Sequence, residues 1–435
     1  MFDVLSNKTY RRLFFAQVIA LIGTGLTTVA LGLLAFELAG DQAGTVLGTA
    51  LAIKMVAYIG VAPVAAAFAE RLPRRAMLVG LDLTRALVAL ALPFVTEVWQ
   101  VYLLIFVLQS ASAAFTPTFQ ATIPDILTDE VQYTKALSLA RLAYDLESVA
   151  SPILAAMLLS VISFHSLFAG TSIGFLVSAL LVSSVLLPLA RMTLRRGIYD
   201  RTTRGLRIFL ATPRLRGLLA LNLAVAAASA MVIVNSVVLV QSGFALPQRF
   251  TAFALAAFGT GSMMAALVLP RLLARLNDRA AMLSGGGLLI LGLSVGVYLS
   301  EYRQMLVLWW VLGLGYSLAQ TPGGRLLRRS AHAEDRPALF AAQFALSHSC
   351  WLVTYPLAGW LSANFGMAQT FASLAFVATL ALIACASLWR PEHEQASVAH
   401  EHHDLPAGHP HLLHHHAGVH GHAYVIDDLH RRWPA

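Results

Sequence analysis

Apolar residues run through this chain in blocks too long for the interior of a water-soluble domain. Crossing a hydrocarbon core takes roughly 20 apolar residues of helix. Twelve such stretches can be read, over residues 12–38, 46–69, 76–97, 100–123, 136–162, 166–189, 216–242, 250–273, 280–300, 304–325, 338–362 and 368–389. Short polar segments rich in arginine separate them. The pattern predicts an all-α membrane protein with twelve transmembrane helices. The first stretch follows Tyr10-Arg11-Arg12 and lacks a small-residue cleavage site, so it is expected to be a span and not a cleaved leader.

Composition agrees: 58% of the residues are hydrophobic and 12% charged, against about a quarter charged in soluble domains. Too few charges exist to solvate a water-facing surface. With both ends placed inside, 25 of the 30 Lys and Arg fall in inner segments, while Arg249 and Arg303 alone fall in outer loops. Basic residues are retained in the cytoplasm. The expectation is a multi-pass protein of a bacterial inner membrane with both termini cytoplasmic. Two cysteines, Cys350 and Cys385, exclude a disulfide framework. No Gly-x4-Gly-Lys-Ser/Thr occurs, so neither ATP hydrolysis nor another enzyme activity is expected. Nor are a cofactor, a nucleic-acid partner or an oligomer.

The chain also repeats itself. A shift of 205 residues lays Arg11-Arg12-Leu13 on Arg216-Gly217-Leu218 and Gln17 on Asn222. The same shift lays Ala76-Met77-Leu78 on Ala281-Met282-Leu283, and Thr116-Pro117 on Thr321-Pro322. A shift of 204 brings Ser151-Pro152 onto Tyr355-Pro356. These matches predict two parallel six-helix halves, residues 1–190 and 216–390. A basic cytoplasmic loop, 191–215, joins them, and a tail, 391–435, follows. Parallel halves of this kind enclose a central site near the midplane.

On these features the chain resembles the major facilitator superfamily. That family's signature between spans two and three reads Gly-x3-Asp-Arg-x-Gly-Arg-Arg. Here the segment is Ala66-Ala67-Phe68-Ala69-Glu70-Arg71-Leu72-Pro73-Arg74-Arg75, with both glycines replaced and Glu for Asp. Asp82 and Arg85 follow early in span three. The resemblance implies that Glu70, Arg71, Arg74, Arg75, Asp82 and Arg85 gate the alternation between inward and outward states through charge pairs.

Ionisable side chains inside a bilayer are costly and mark functional candidates. Span five carries Arg141, Tyr144, Asp145, Glu147 and Ser148. Arg141 and Asp145 are four apart and can pair on one face. Glu147 lies roughly 200° around the helix from Asp145, so it needs its own partner, a proton or a substrate cation. Span eleven carries Gln343, His348, Cys350 and Tyr355. His348 and Cys350 offer nitrogen and sulfur ligands suited to nickel, zinc, cobalt or copper, although two residues apart they face different ways. Lys54 and Asn235 complete the candidate coupling and substrate residues.

The tail holds 12 of the 15 histidines. His400, His402, His403, His409, His411, His414, His415, His416, His420 and His422 are scattered among Glu, Asp, Pro and Gly. This is the composition of a disordered metal-binding segment. A facilitator-type body with such a tail is similar to the bacterial nickel-resistance exporters. The resemblance implies a proton-coupled exporter of divalent metal, nickel first and cobalt or zinc next, with metal ions, protons and the bilayer as partners. The alternative is a drug exporter of the same fold whose tail only buffers metal.

Overall fold

A computed structural model describes residues 2–39, 43–69, 72–188, 197–247, 249–394, 398–400, 420–422 and 424–434. Six helices form the first bundle: α1 (Lys8–Ala39), α2 (Ala43–Ala69), α3 (Arg74–Ala91), α4 (Val98–Ile126), α5 (Glu130–Leu159) and α6 (Phe164–Ser183). After α7 (Ile198–Ala211), a second bundle contains α8 (Pro213–Val238), α9 (Arg249–Leu272), α10 (Asp278–Gly296) and α11 (Tyr302–Gln320). It continues through the short α12 (Gly323–Arg329) to α13 (Arg336–Phe365) and α14 (Met367–Leu388). The twelve long helices coincide with the twelve apolar stretches. Nine of the described helices are long and apolar enough on their own to cross a membrane. The other three, α5, α11 and α13, carry more polar residues.

Within the first bundle α1 packs on α6 and α5, and α3 on α6 and α4; within the second α9 packs on α11, and α8 on α13 and α14. The bundles meet where α2 lies along α13 and α5 along α9. These contacts are equivalent under the repeat. The twin character extends to the loops. Gln100 of α4 accepts from the backbone N–H groups of Thr96 and Glu97 at 2.9 and 3.1 Å. Gln304 of α11 does the same for Ser300 and Glu301 at 3.1 and 3.3 Å. Both helices thus begin in a capping box, which satisfies the otherwise unpaired N–H groups of a first turn.

Two expectations change. The linker 191–215 is not a loop throughout, because 198–211 forms the amphipathic helix α7, which packs on α13. The fit is close: a Cβ on Gly205 would lie 2.0 Å from the Ala338 carbonyl oxygen. The tail is also not uniformly without structure. Residues 398–400 pair antiparallel with 420–422, and Tyr424, Val425, Ile426 and His430 are buried. Aromatic residues explain this ordering, since Tyr424 and Trp433 have apolar rings to hide.

Candidate functional site

A central cavity of about 410 Å³ lies between the bundles. The first half contributes Tyr10, Gln17, Tyr58, Thr116, Phe119, Gln120, Arg141 and Tyr144 to its wall, and the second Tyr316, Gln320, Gln343, Phe344, Ser347, His348 and Trp351. Its lining is therefore aromatic and amide-rich, with few formal charges.

Arg141 and Asp145 pair as their spacing requires, with Arg141 Nε 3.1 Å from Asp145 Oδ2. Asp145 is only 2% exposed, so the paired cation is what makes its burial tolerable. The same guanidinium reaches the other half. Its Nε donates to Ser262 Oγ on α9 at 3.1 Å, and it stacks 4.5 Å from the ring centre of Tyr316 on α11. Arg141 is thus a tie between the bundles at mid-depth as well as a neutralising partner.

Glu147 lies apart from that pair. A Cβ on Gly25 would sit 2.7 Å from its Oε1 and 2.2 Å from Ser151 Cβ, so glycine on α1 is what lets α5 approach with Ser151 beside this carboxylate. Lys54 on α2 is near enough to act on Glu147 electrostatically, and its Nζ is 5.4 Å from the Tyr58 ring centre. His348 stands in an aromatic nest, 4.8 Å from Tyr58, 4.2 Å from Phe344 and 5.4 Å from Trp351 between ring centres. Its Nδ1 is 2.7 Å from the Phe344 carbonyl oxygen, which leaves Nε2 as the nitrogen for a ligand. Gln343 Oε1 is buried with no hydrogen-bond partner among the described residues. Of the candidate coupling residues, Arg141, Tyr144 and His348 line the chamber, Asp145 lies behind Arg141 as its ion-pair partner, and Lys54 and Glu147 are not part of the lining.

Two candidates belong elsewhere. Asn235 is fully buried in α8, where Nδ2 donates to the Ala358 carbonyl oxygen at 3.3 Å and faces Met231 Sδ at 3.4 Å. It joins α8 to α13. Cys350 is buried and donates weakly to the Leu346 carbonyl oxygen at 3.6 Å, so it does not join His348 in a ligand pair. Among the described residues no group of three or more His, Cys, Asp or Glu side chains is arranged to hold a metal ion. Of the tail histidines proposed as ligands, His402, His403, His409, His411, His414, His415 and His416 lie outside the described residues; His400, His420 and His422 belong to the strand pair.

The gating set also divides. Glu70 and Arg71 lie outside the described residues. Asp82 and Arg85 pair with each other inside the first bundle, where Ser178 donates to Asp82 at 2.8 Å and Arg85 stacks on Phe115 and Phe175. They brace α3, α4 and α6 and do not span the halves. Arg75 is exposed. Arg74 does take part, donating to Asp125 Oδ2 at 2.6 Å, while Arg336 from the second half donates to Asp125 Oδ1 at 2.6 Å.

A second cluster faces the first across the same end. Arg325 lies 3.0 Å from Asp278 and 2.5 Å from Glu130 of the first half, and Arg329 lies 3.9 Å from Asp278. Between the clusters Tyr133 Oη donates to the Gly324 carbonyl oxygen at 3.3 Å. A Cβ on Gly324 would be 2.7 Å from Leu137 Cδ2, so α12 presses closely on α5 there. The end of the bundle that carries the chain termini is closed by these contacts. Sequence reading missed Asp125, Glu130, Asp278, Arg325 and Arg336. A signal existed: the 204-residue shift lays Arg74 on Asp278 and Asp125 on Arg329, reversing each charge.

Two bundles of six helices, ion clusters across one end and a chamber between them have the architecture of a membrane transporter. The Major Facilitator Superfamily profile matches residues 13–238 and again residues 218–420. The chain belongs to that superfamily and is a multi-pass membrane protein. It is 23% identical over 359 residues to an uncharacterized MFS-type transporter of Bacillus subtilis (strain 168), covering 78% of this chain and 82% of the relative. It is 25% identical over 177 residues to macrolide efflux protein A of Streptococcus pyogenes, a match that spans 40% of this chain and 43% of that protein. The human organic anion transporter MFSD10 (TETRAN) superposes with a TM-score of 0.74 at 12% identity, over 87% of this chain and 99% of the other. A bacterial homologue of the iron transporter ferroportin, in its outward-facing state, does so with 0.72 at 14% identity, over 87% and 98%.

Proposed function

We propose that this transporter is a proton-coupled exporter of divalent transition metal, nickel first and cobalt or zinc next, in a bacterial inner membrane with both termini cytoplasmic. The observation that supports the reading is the composition of the tail, with twelve histidines within residues 393–430. Neutral imidazoles with interspersed carboxylates are the usual ligands for such ions. Their role is to collect cargo on the cytoplasmic face. Beside the chamber Glu147 takes proton or cation in turn, while Arg141 holds Asp145 in an ion pair and so out of that exchange. A chamber with few strong ligands suits an exporter, because a pathway must release what it binds.

The test is uptake of radioactive nickel into inverted vesicles with and without an imposed proton gradient. Gradient-dependent uptake is expected, and Glu147→Gln is expected to remove it while the protein stays in the membrane. Uptake indifferent to the gradient, or unchanged in Glu147→Gln, rejects the coupling scheme.

A second reading is export of amphipathic organic molecules. The aromatic nest of Tyr58, Phe344, His348 and Trp351 favours it, as does the likeness to a macrolide efflux protein. Cells that gain tolerance to lipophilic drugs but not to nickel would establish this reading over the first.

A further inference from the structure

The end of the tail is folded against the very elements that close the gate. Asp427 organises the fold, its Oδ1 accepting from the backbone N–H groups of Leu429 at 2.9 Å and His430 at 2.7 Å. Tyr424 Oη donates to the Arg432 carbonyl oxygen at 2.7 Å. Trp433 lies 5.1 Å from the Tyr424 ring, 6.1 Å from the His393 ring, and 5.2 Å from the guanidinium of Arg214. Arg214 in turn donates to Ser330 Oγ at 2.8 Å and to the Arg329 carbonyl oxygen at 3.0 Å, holding the end of α12.

Further ion pairs join the tail to the gate. Asp428 pairs with Arg204 of α7 at 2.9 Å, and Arg204 Nη2 also donates to Asp335 Oδ2 at 2.7 Å. Asp335 precedes Arg336, the residue that bridges to Asp125. Asp427 Oδ2 lies 3.4 Å from His332 Nε2, in the segment between α12 and α13. At the start of the tail Glu394 accepts from Arg329 and from Trp389 Nε1, each at 2.6 Å. The stretch that holds ten of the histidines, 400–422, is therefore flanked by two anchors, both on residues adjoining the inter-half ion clusters.

We propose that residues 424–434 are a latch that holds the segment from Arg325 to Arg336 in its gate-closing position, and that divalent metal collected by the tail acts by withdrawing this latch. The metal arm rests on the reading of the tail given above; the latch does not. The physical link is competition. Asp427 and His430 are hydrogen-bonded to each other at 2.9 Å, and carboxylate oxygen and imidazole nitrogen are donors that a borderline divalent ion takes in preference. An ion held by Asp427 and His430 together with His422, whose ring centre lies 5.2 Å from that of His430, draws Asp427 away from His332. The gate then loses its brace on the side where cargo enters.

The experiment uses the full chain in nanodiscs, with Ala140→Cys on the cavity wall as reporter and the chain without this thiol as blank. Labelling by a charged maleimide applied from the terminus-bearing side reads opening of the gate. Asp427→Asn with Asp428→Asn is expected to raise the labelling rate about fivefold, the scale of losing a few partly exposed ion pairs. Micromolar nickel chloride is expected to raise the rate in the parent by a similar factor and to add nothing in the double variant. A double variant that labels at the parental rate, while eluting as the same monodisperse species, overturns the latch. Faster labelling in the double variant with no nickel effect in the parent upholds the latch and removes the metal arm alone. A nickel response of equal size in parent and double variant shows that metal acts elsewhere, and likewise overturns its action through the latch.

Discussion

The two corners of the closed gate both join the halves at one end of the bundle and carry opposite charges at their centres. In one, a carboxylate stands between two cations, Arg74 and Arg336, with Asp125 at the centre. In the other, a cation stands between two carboxylates, Asp278 and Glu130, with Arg325 at the centre. The capping boxes of α4 and α11, by contrast, are nearly identical in the two halves. The difference separates two kinds of constraint. A helix start needs the same donors satisfied whichever half it belongs to, so duplication leaves it alone. A contact between halves needs complementarity, and a corner that copied its twin's charges would gain no attraction across the interface. Inverting one corner gives each half both an acid and a base to offer the other.

Neutralising the centre of the first corner is the strongest way to break this pairing. Asp125→Asn leaves Arg74, only 5% exposed in its side chain, without its counter-ion. Removing one partner of a buried pair costs about 3–5 kcal/mol. A large fall in thermal midpoint, together with opening at the terminus-bearing end, is expected by melting and inter-half distance measurement. A variant that melts like the parent would mean that this corner does not hold the gate.

Asp278→Asn breaks the second corner less severely, because Arg325 keeps Glu130. The expected cost is about 1–3 kcal/mol, that of leaving a buried partner partly satisfied. Melting is expected to rank this variant between Asp125→Asn and the parent; a drop as large as that of Asp125→Asn would refute the asymmetry. The capping boxes test the sameness of the halves. Gln100→Ala and Gln304→Ala are each expected to cost about 1 kcal/mol, and by equal amounts. An effect confined to one of them would show that the two starts are not equivalent. Smallest of all is Glu130→Gln. Its carboxylate is 62% exposed, and exposed pairs contribute under about 1 kcal/mol. A marked loss of stability there would contradict its placement.

Much of the architecture is readable along the chain. Twelve apolar runs, the repeat, and the Arg141–Asp145 spacing each depend on residues near one another, and bilayer and helix geometry turn that spacing directly into structure. The isolation of Glu147 was legible for the same reason. What the sequence pattern misplaced were Asp82, Arg85 and Asn235, polar residues within spans that brace one bundle internally. Nothing in a helical period says whether a polar face turns toward its own half or toward the other.

The gate itself was settled by tertiary structure. Arg336 meets Asp125 across 211 residues and Arg325 meets Thr134 across 191, distances at which linear spacing carries no information. The same holds for the tail, where composition fixed the chemistry of its histidines but not the docking of 424–434. That docking depends on Tyr424 and Trp433 finding Arg214, and on Asp427 and Asp428 finding His332 and Arg204. The chain alone determines how many times it crosses the bilayer and which ions its side chains can attract. Which charges face each other, and what closes the chamber, follows only when the two halves pack, because a buried charge is tolerated where a partner from elsewhere in the fold reaches it.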